Sequence, residues 1–310
     1  MVLVVRINRT EAEKFKKWLS KTGLLLKDYP ITKDKDYVFF PVKKKIDKTS
    51  FNLKYLKMKL PKNEKSKKVL LPYDIIGDVC IFKQGKRGIR YSQEIKKLLS
   101  IYKFLKSFYL KIGEVEGVER VPRLKFLYGE DKPLTLHKEN GLFFWVDVKK
   151  VYFNPRLSHE RMRIASLIEN GKRVLDMFAG VGPFAITIAK YSKAFVDAVD
   201  INPIAYELMK RNIQLNKVEK FVNPYNTDIR NFYPQNSYDH IIMNLPFESI
   251  KYLDLAKTFC KKRGRIHIYI ANPSDINSLI EKKSLTLIRS QKVFEYAPRK
   301  AVFRYDLELR

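Results

Sequence analysis

Most of the residues able to hold a ligand fall at the ends of successive apolar runs in the second half of the chain. "VLDMFAGVGPFAITIAK" (Val174 to Lys190) is an apolar run ending in Asp176, followed by Phe178, a Gly180-x-Gly182 turn and a stretch of helix formers. Glycines at such a turn let the backbone approach a ligand closely and start a helix tightly. The next run, "AFVDAVDI", ends in Asp200 and Ile201, where a carboxylate can accept hydrogen bonds from ribose hydroxyls. After the third run come Asp228 and Ile229 in "NTDIR", where an adenine edge would lie. The fourth, "IIMNLPF", ends in Asn244, Pro246 and Phe247. Alone, Gly180-x-Gly182-x-x-Ala185 also fits the relaxed dinucleotide fingerprint. Each acid has a structural reading too: Asp176 as a turn cap, Asp200 as the N-cap of "PIAYELMK", Asp228 as a surface loop residue. Their succession at three strand ends favours one shared ligand.

Such residues need a frame. From residue 156 onward helix and strand patterns alternate, through "SHERMRIASLIEN", "RVLDMFA", "PFAITIAKYS" and onward to "RIHIYIA". This rhythm predicts a doubly wound, mostly parallel sheet with its ligand at the carboxyl ends of the strands. "LTLIRSQKVFEYA" and "AVFRYDLELR" then read as two long strands joined by a short loop. A dehydrogenase sheet does not need that terminal hairpin, whereas a methyltransferase sheet ends with one. Acids after three strands, plus the hairpin, suit S-adenosylmethionine better than a dinucleotide. The expected fold is α/β, a Rossmann-like class I S-adenosylmethionine-dependent methyltransferase domain over residues 151–310, preceded by two small α+β domains.

Residues 1–65 read as a small α/β unit with a basic linker: strand "MVLVVRI", helix "TEAEKFKKWLSKTGLL" with Thr10 as N-cap, and strand "DYVFFPV". Residues 66–150 read as mixed α+β. "LPYDIIGDVCIFK" turns at Gly77-Asp78, Ile95, Leu98, Leu99, Tyr102 and Leu105 follow helical spacing, and "LTLHKENGLFFWVDV" is a hairpin around Asn140-Gly141.

Composition narrows the partner. The 310 residues carry 62 Lys+Arg against 33 Asp+Glu, a formal charge of +29 that favours a polyanion, most often nucleic acid. Residues 1–150 hold 36 basic and 17 acidic side chains and residues 151–310 hold 26 and 16, so the N-terminal half grips harder. Cys80 and Cys260, like His137, His159, His240 and His267, form no metal-ligand spacing, so no metal is expected. The opening "MVLVVRINRTEAEKFKKW" turns charged too early for a signal peptide, and no apolar run approaches the ~18 residues of a membrane span. A cytoplasmic monomer without membrane contact is the expectation.

"NLPF" resembles the Asn/Asp-Pro-Pro-aromatic motif of methyltransferases that modify base nitrogens, in which the Asn and a nearby carbonyl bind the base or the ligand's amino group and the ring stacks on an extruded base. Taken together, "DMFAGVGPF", "NLP", "HKENG", "VYFNPRLSHER" and "YAPR" resemble the archaeal and eukaryotic class of tRNA (guanine-37, N1) methyltransferases, from residue 70 to the C terminus. The resemblance implies S-adenosylmethionine as cofactor and the tRNA anticodon loop as substrate, with the N-terminal unit reaching the tRNA elbow. It assigns Glu160 as the base that removes the guanine N1 proton and Arg120 as the guanidinium that steadies charge on O6. Arg161 becomes a cofactor contact, and Tyr152 and Asn244 members of the guanine or cofactor pocket. Without the family, Glu160 would be a first-turn helix acid serving Ser158 or the helix dipole.

Two departures stand out. His159 lies where relatives often carry glycine, and Phe247 where they often carry lysine, which would admit a bulkier tricyclic guanosine. Related enzymes on this scaffold methylate carbon 7 of a wyosine intermediate or transfer the aminocarboxypropyl group of the same cofactor. A non-catalytic RNA binder would be expected to have lost Asp200, Asn244 or the glycines, and none is missing. An NAD-dependent oxidoreductase lacks a proton-relay set and does not explain the charge.

Overall fold

Strand- and helix-forming stretches sort into two units, Met1–Leu70 and Leu71–Arg310. The computed structural model describes residues 1–47, 49–61, 69–83, 90–113, 123–273, 280, 284–297 and 299–310.

In the first unit, β1 (Val2–Asn8) runs antiparallel between β3 (Tyr37–Pro41) and β4 (Lys54–Met58), with β2 (Thr32–Lys33) at the β3 edge. Helix α1 (Ala12–Thr22) places Phe15 and Leu19, four residues apart and so on one face, against Val5, Ile7 and Phe40. Thr10 does not cap this helix: its hydroxyl donates to Asn8 Oδ1 (3.0 Å), and Glu11 occupies the cap position without a side-chain bond.

The second unit opens with β5 (Tyr73–Ile76), β6 (Val79–Phe82), α2 (Tyr91–Ile101), β7 (Ser107–Lys111) and β8 (Leu124–Gly129), whose strands form one sheet in chain order. The helical spacing that runs to Leu105 outlasts the helix. Tyr102 leaves helical geometry, and "SFYLK" pairs in parallel with β6 instead, because its aromatics gain more from a buried strand than from a further turn. The hairpin β9 (Leu134–Glu139) and β10 (Leu142–Asp147) turns at Asn140 and Gly141, both at positive φ (47° and 73°) as a two-residue turn demands.

The main sheet comprises β11 (Arg173–Asp176), β12 (Phe195–Asp200), β13 (Val222–Asn226), β14 (Tyr238–Met243), β15 (Cys260–Ala271), β16 (Leu285–Ala297) and β17 (Lys300–Leu309). Their order is β13-β12-β11-β14-β15-β17-β16. The first five are parallel, and β17 is inserted antiparallel between β15 and β16. Helices α3 (Ser158–Leu167), α4 (Pro183–Ser192), α5 (Pro203–Asn216) and α6 (Leu253–Phe259) complete the fold. This is the expected α/β architecture, a mostly parallel sheet closed by a C-terminal antiparallel hairpin. Ile76, Val79 and Tyr109 join Phe144, Ile164, Val174 and Ala198 in a single apolar cluster, so the segment after residue 70 shares the core of the main sheet.

Two asparagines on α5 fasten the hairpin. Asn212 is fully buried: its Oδ1 accepts from Trp145 N–H (2.7 Å), and its Nδ2 donates to Trp145 O (3.2 Å) and Val181 O (3.0 Å). Asn216 treats Phe143 in the same way, at 2.9 and 2.7 Å. At four-residue spacing the two amides face β10 as a strand edge would. Asn212→Leu keeps the volume and leaves three backbone groups unpaired, each costing about 1–3 kcal/mol. Urea unfolding of the variant should show a midpoint well below wild type with an unchanged slope.

Candidate active site

The carboxyl ends of β11, β12 and β13 converge as parallel pairing requires. Asp176 is 1% exposed, and among the described residues both its oxygens lack a hydrogen-bond partner; the N–H groups of Phe178 and Ala185 lie near it without reaching bonding geometry. Burial, followed by repulsion from Asp200, pushes its pKa up to about 7 against the partial relief of those N–H groups. Gly180, at φ 57°, donates its N–H to Asp200 Oδ2 (2.6 Å), while Oδ1 accepts from Asn202 N–H (2.9 Å). The cap of α5 is therefore Asn202, whose Oδ1 accepts from Ile204 and Ala205, and Asp200 is spent on shaping the glycine turn. Gly182 sits at φ 85°, and a Cβ there would lie 2.9 Å from Met209 Cγ, so both backbone conformation and close approach to α5 demand glycine.

Asn226 Nδ2 bridges Asp200 O (2.9 Å) and Ile201 O (3.2 Å), tying the β13 end to the β12 end. Asp228 caps a 3-10 turn, accepting from the N–H of Arg230 (2.9 Å) and from its guanidinium, which together hold its carboxyl below the usual range. Ile229 is buried, Ile201 is 37% exposed, and the Phe178 ring meets Tyr252 edge-on at 5.2 Å. An orphaned buried carboxylate, a glycine turn and an acid at the next strand end fit a ligand that joins a cationic group to a ribose. S-adenosylmethionine is such a ligand.

At the end of β14, Asn244 is half-buried in a loop pinned from beneath. Ser249 Oγ accepts from Leu245 N–H (3.2 Å) and donates to Met243 O (3.0 Å), while Pro246 O accepts from Ala271 N–H (2.8 Å). Phe247 is 61% exposed and meets Tyr296 edge-on at 5.4 Å. Exposed Tyr152 lies across the turn, its carbonyl 3.6 Å from where a Gly180 Cβ would stand.

Helix α3 carries Glu160 and Arg161, and Arg120 lies outside the described residues. Arg161, expected at the cofactor, is 1% exposed, and its Nε and Nη2 bind the two oxygens of Glu139 at 2.6 and 2.5 Å. It clamps the hairpin to α3, because a buried guanidinium needs a paired acid. Glu160 is 9% exposed. Its Oε1 accepts from Tyr269 OH (2.8 Å), from Arg163 Nε and Nη2 (2.9 and 2.7 Å) and from Arg304 Nη1 (3.2 Å). Among the described residues, Oε2 receives only a 3.5 Å contact from Arg304.

Arg163 also reaches Asp306, which binds His267 at 2.7 Å. Burial raises the Asp306 pKa, but His267 and Arg163 outweigh it and leave it lowered. Arg163, Tyr269, Arg304 and Asp306 belong to no motif of the sequence, and His267 stands there only as one of four scattered histidines. The available signal was polar residues inside strands that read as apolar, notably Arg304 and Asp306 two apart in "AVFRYDLELR".

The raised Asp176 pKa has a consequence for stability. A carboxyl whose folded pKa of about 7 exceeds its ordinary 3.8 favours folding most below pH 4, and that contribution is lost as pH rises through 7. Asp176→Asn removes this dependence. At pH 8 and without cofactor the variant should be more stable than wild type by up to roughly 4 kcal/mol. The gain should vanish near pH 4, with weaker cofactor binding throughout; paired thermal scans and calorimetry test both.

Comparison with known proteins agrees with this architecture. The profile of the TRM5/TYW2 methyltransferase domain matches residues 135–295, and that of the tRNA methyltransferase 5 N-terminal domain matches residues 5–51. The chain is 35% identical to the tRNA (guanine(37)-N(1))-methyltransferase Trm5b of Methanocaldococcus jannaschii, over 100% of this chain and 99% of the relative. A tRNA(Phe) (4-demethylwyosine(37)-C(7)) aminocarboxypropyltransferase of Pyrococcus horikoshii is 33% identical, over 65% of this chain and 72% of the relative. The structure of aTrm5 in complex with tRNALeu superposes with a TM-score of 0.72 at 33% identity, covering 99% of this chain and 100% of that one. The chain belongs to the TRM5/TYW2 methyltransferases and, within them, to the archaeal and eukaryotic-type tRNA (guanine-37, N1) methyltransferase family.

Proposed function

We propose that this protein methylates N1 of guanosine 37 in tRNA, beside the anticodon, using S-adenosylmethionine. The observation that carries the reaction is similarity to a relative named for it across the whole chain, N-terminal unit included, whereas the match to the aminocarboxypropyl enzyme covers 65% of the chain.

S-adenosylmethionine supplies a methyl group already activated on a sulfonium. Asp176, Phe178, Gly180 and Gly182 hold its amino-acid end, Asp200 and Ile201 the ribose, and Asp228 and Ile229 the adenine. Arg161 serves the pocket at one remove, by fixing α3 to the hairpin. Asn244 and Pro246 bind the target guanine, with Tyr152 and Phe247 flanking the extruded base.

Guanine N1 bears a proton and is a poor nucleophile until that proton leaves. Glu160 takes it, and Oε2 is the oxygen for the task because Oε1 is filled by Tyr269, Arg163 and Arg304. Arg120 steadies the charge that develops on O6. Orientation of the flipped base against the activated methyl supplies the rest of the rate.

Three regions divide the work: residues 1–65 on the tRNA elbow, 66–150 on the RNA near the loop, and 151–310 in catalysis. The protein acts as a cytoplasmic monomer. Among the described residues no helix is long and apolar enough to cross a membrane and no group of side chains fits a metal.

Methyl transfer to tRNA transcripts with guanosine or adenosine at position 37 tests the reading. Transfer should require guanosine, and Glu160→Gln should lower it by roughly 10²–10⁴-fold with cofactor affinity by calorimetry unchanged. Transfer that ignores position 37 would overturn the target. Full activity in Glu160→Gln would remove the base. Exposed Phe247 favours one second reading, methylation of a tricyclic wyosine intermediate, for which tRNA carrying that intermediate is the test substrate.

A further inference from the structure

A second concavity lies outside the strand-end site. It is an open concavity of about 570 Å³ between the β5–β6 turn and the hairpin, lined by Gly77, Phe104, Lys132, Leu136, Lys138 and Trp145 among others. That volume falls in the roughly 300–1,000 Å³ range of pockets that hold small ligands. Its walls combine apolar surface with aromatic rings: Phe104 is 55% exposed and Leu136 39% exposed. The Arg211 guanidinium lies 4.0 Å from the Trp145 ring centroid, adding a planar cation beside the indole.

The charges at the rim point one way. Lys132 and Lys138 are exposed, and neither forms an ion pair with a described residue. The acid in the lining, Asp78, is already engaged by Thr135 Oγ1 (2.6 Å) and faces Lys106 Nζ at 3.9 Å. Aromatic faces with uncompensated cations at the rim are what an unstacked nucleotide requires: a π surface for its base and positive charge for its phosphate.

The walls of the pocket connect to the reaction edge. Trp145 precedes Tyr152 by seven residues, and the intervening chain is anchored where Lys150 O accepts from Asn202 Nδ2 (2.9 Å) at the head of α5. On the other wall, Asp74 of β5 accepts from Arg156 Nε (2.7 Å), in the 3-10 turn that leads into α3. The elements that form the pocket are thus tied on both sides to the segment running from Tyr152 to Glu160.

We propose that this pocket is a nucleotide subsite: a second unstacked base of the single-stranded RNA, near the one being modified, stacks on Phe104 and Trp145 with its phosphate at Lys132 and Lys138. The assignment rests on the reading that the substrate is a tRNA loop. It makes base capture here a part of holding the loop open.

Trp18 and Trp145 are the two tryptophans of the chain, so Trp18→Phe leaves Trp145 as the reporter. An anticodon stem-loop RNA should quench its fluorescence on titration. Phe104→Ala, at an exposed position, should weaken that binding roughly 5- to 150-fold, the loss of one stacked base. Lys132→Ala with Lys138→Ala should flatten the salt dependence by about 0.7 in log–log slope for each lysine. In methyl transfer the same variants should raise KM for tRNA and leave kcat at saturation and cofactor affinity unchanged.

Unaltered RNA affinity and salt slope in both variants would overturn the proposal, as would quenching that follows protein concentration without RNA, the mark of a second copy of the chain in the pocket. Quenching that persists for stem-loop RNA in the absence of any methyl transfer would instead count against the proposed reaction and uphold the subsite.

Discussion

The reaction edge depends on how three guanidinium groups are neutralised inside the protein. Arg161 and Arg304 are each 1% exposed and Arg163 is partly buried, and the acids beside them are Glu139, Glu160 and Asp306. Burying an ion costs several kcal/mol unless its partner and hydrogen bonds are in place, so each pair fixes geometry more than it adds stability. Through Arg161 and Glu139 helix α3 is clamped to the hairpin; through Arg163 and Asp306 it is clamped to β17. The orientation of Glu160 follows from both clamps. Losing Glu139 would leave the Arg161 guanidinium buried with no acid beside it among the described residues, a penalty of about 3–5 kcal/mol.

The network reaches further into the sheet. His240 and His267 stack on adjacent strands with ring nitrogens 3.1 Å apart, and burial, followed by the charge of His267, holds the His240 pKa down at about 3. Tyr269 is pushed well above its ordinary value by burial and then by Glu160, so it remains a hydrogen-bond donor to that carboxylate. Beyond the carboxylates, the sheet interior thus holds His240 and Tyr269 in their uncharged forms.

The cofactor side is organised by the opposite device. Asp176 stands buried without a hydrogen-bond partner among the described residues, and its raised pKa marks the cost of burying that charge. Such an acid lowers stability where binding needs it, a common compromise at functional sites. Asp200 works differently: it spends its oxygens on Gly180 and Asn202, so the loop that contacts a ligand is preorganised before one arrives.

Local chemistry was legible in the order of residues. Alternating apolar runs, the glycine turn, acids at successive strand ends and the Asn140-Gly141 hairpin depend on spacing of a few positions, and each appears where spacing placed it. The motif "NLPF" and the position of Glu160 at the start of a helix belong to the same class. Failures of local reading were local as well: Thr10 lost the cap to competition from Asn8, and the α2 pattern ran past its helix because "SFYLK" had a strand to join. What only the tertiary structure decided is which side chains meet across more than a hundred residues. Glu160 with Arg304 and Arg163 with Asp306 are products of sheet order and helix placement. No spacing along the chain encodes them, because a buried charge finds its partner through the fold and not through the sequence.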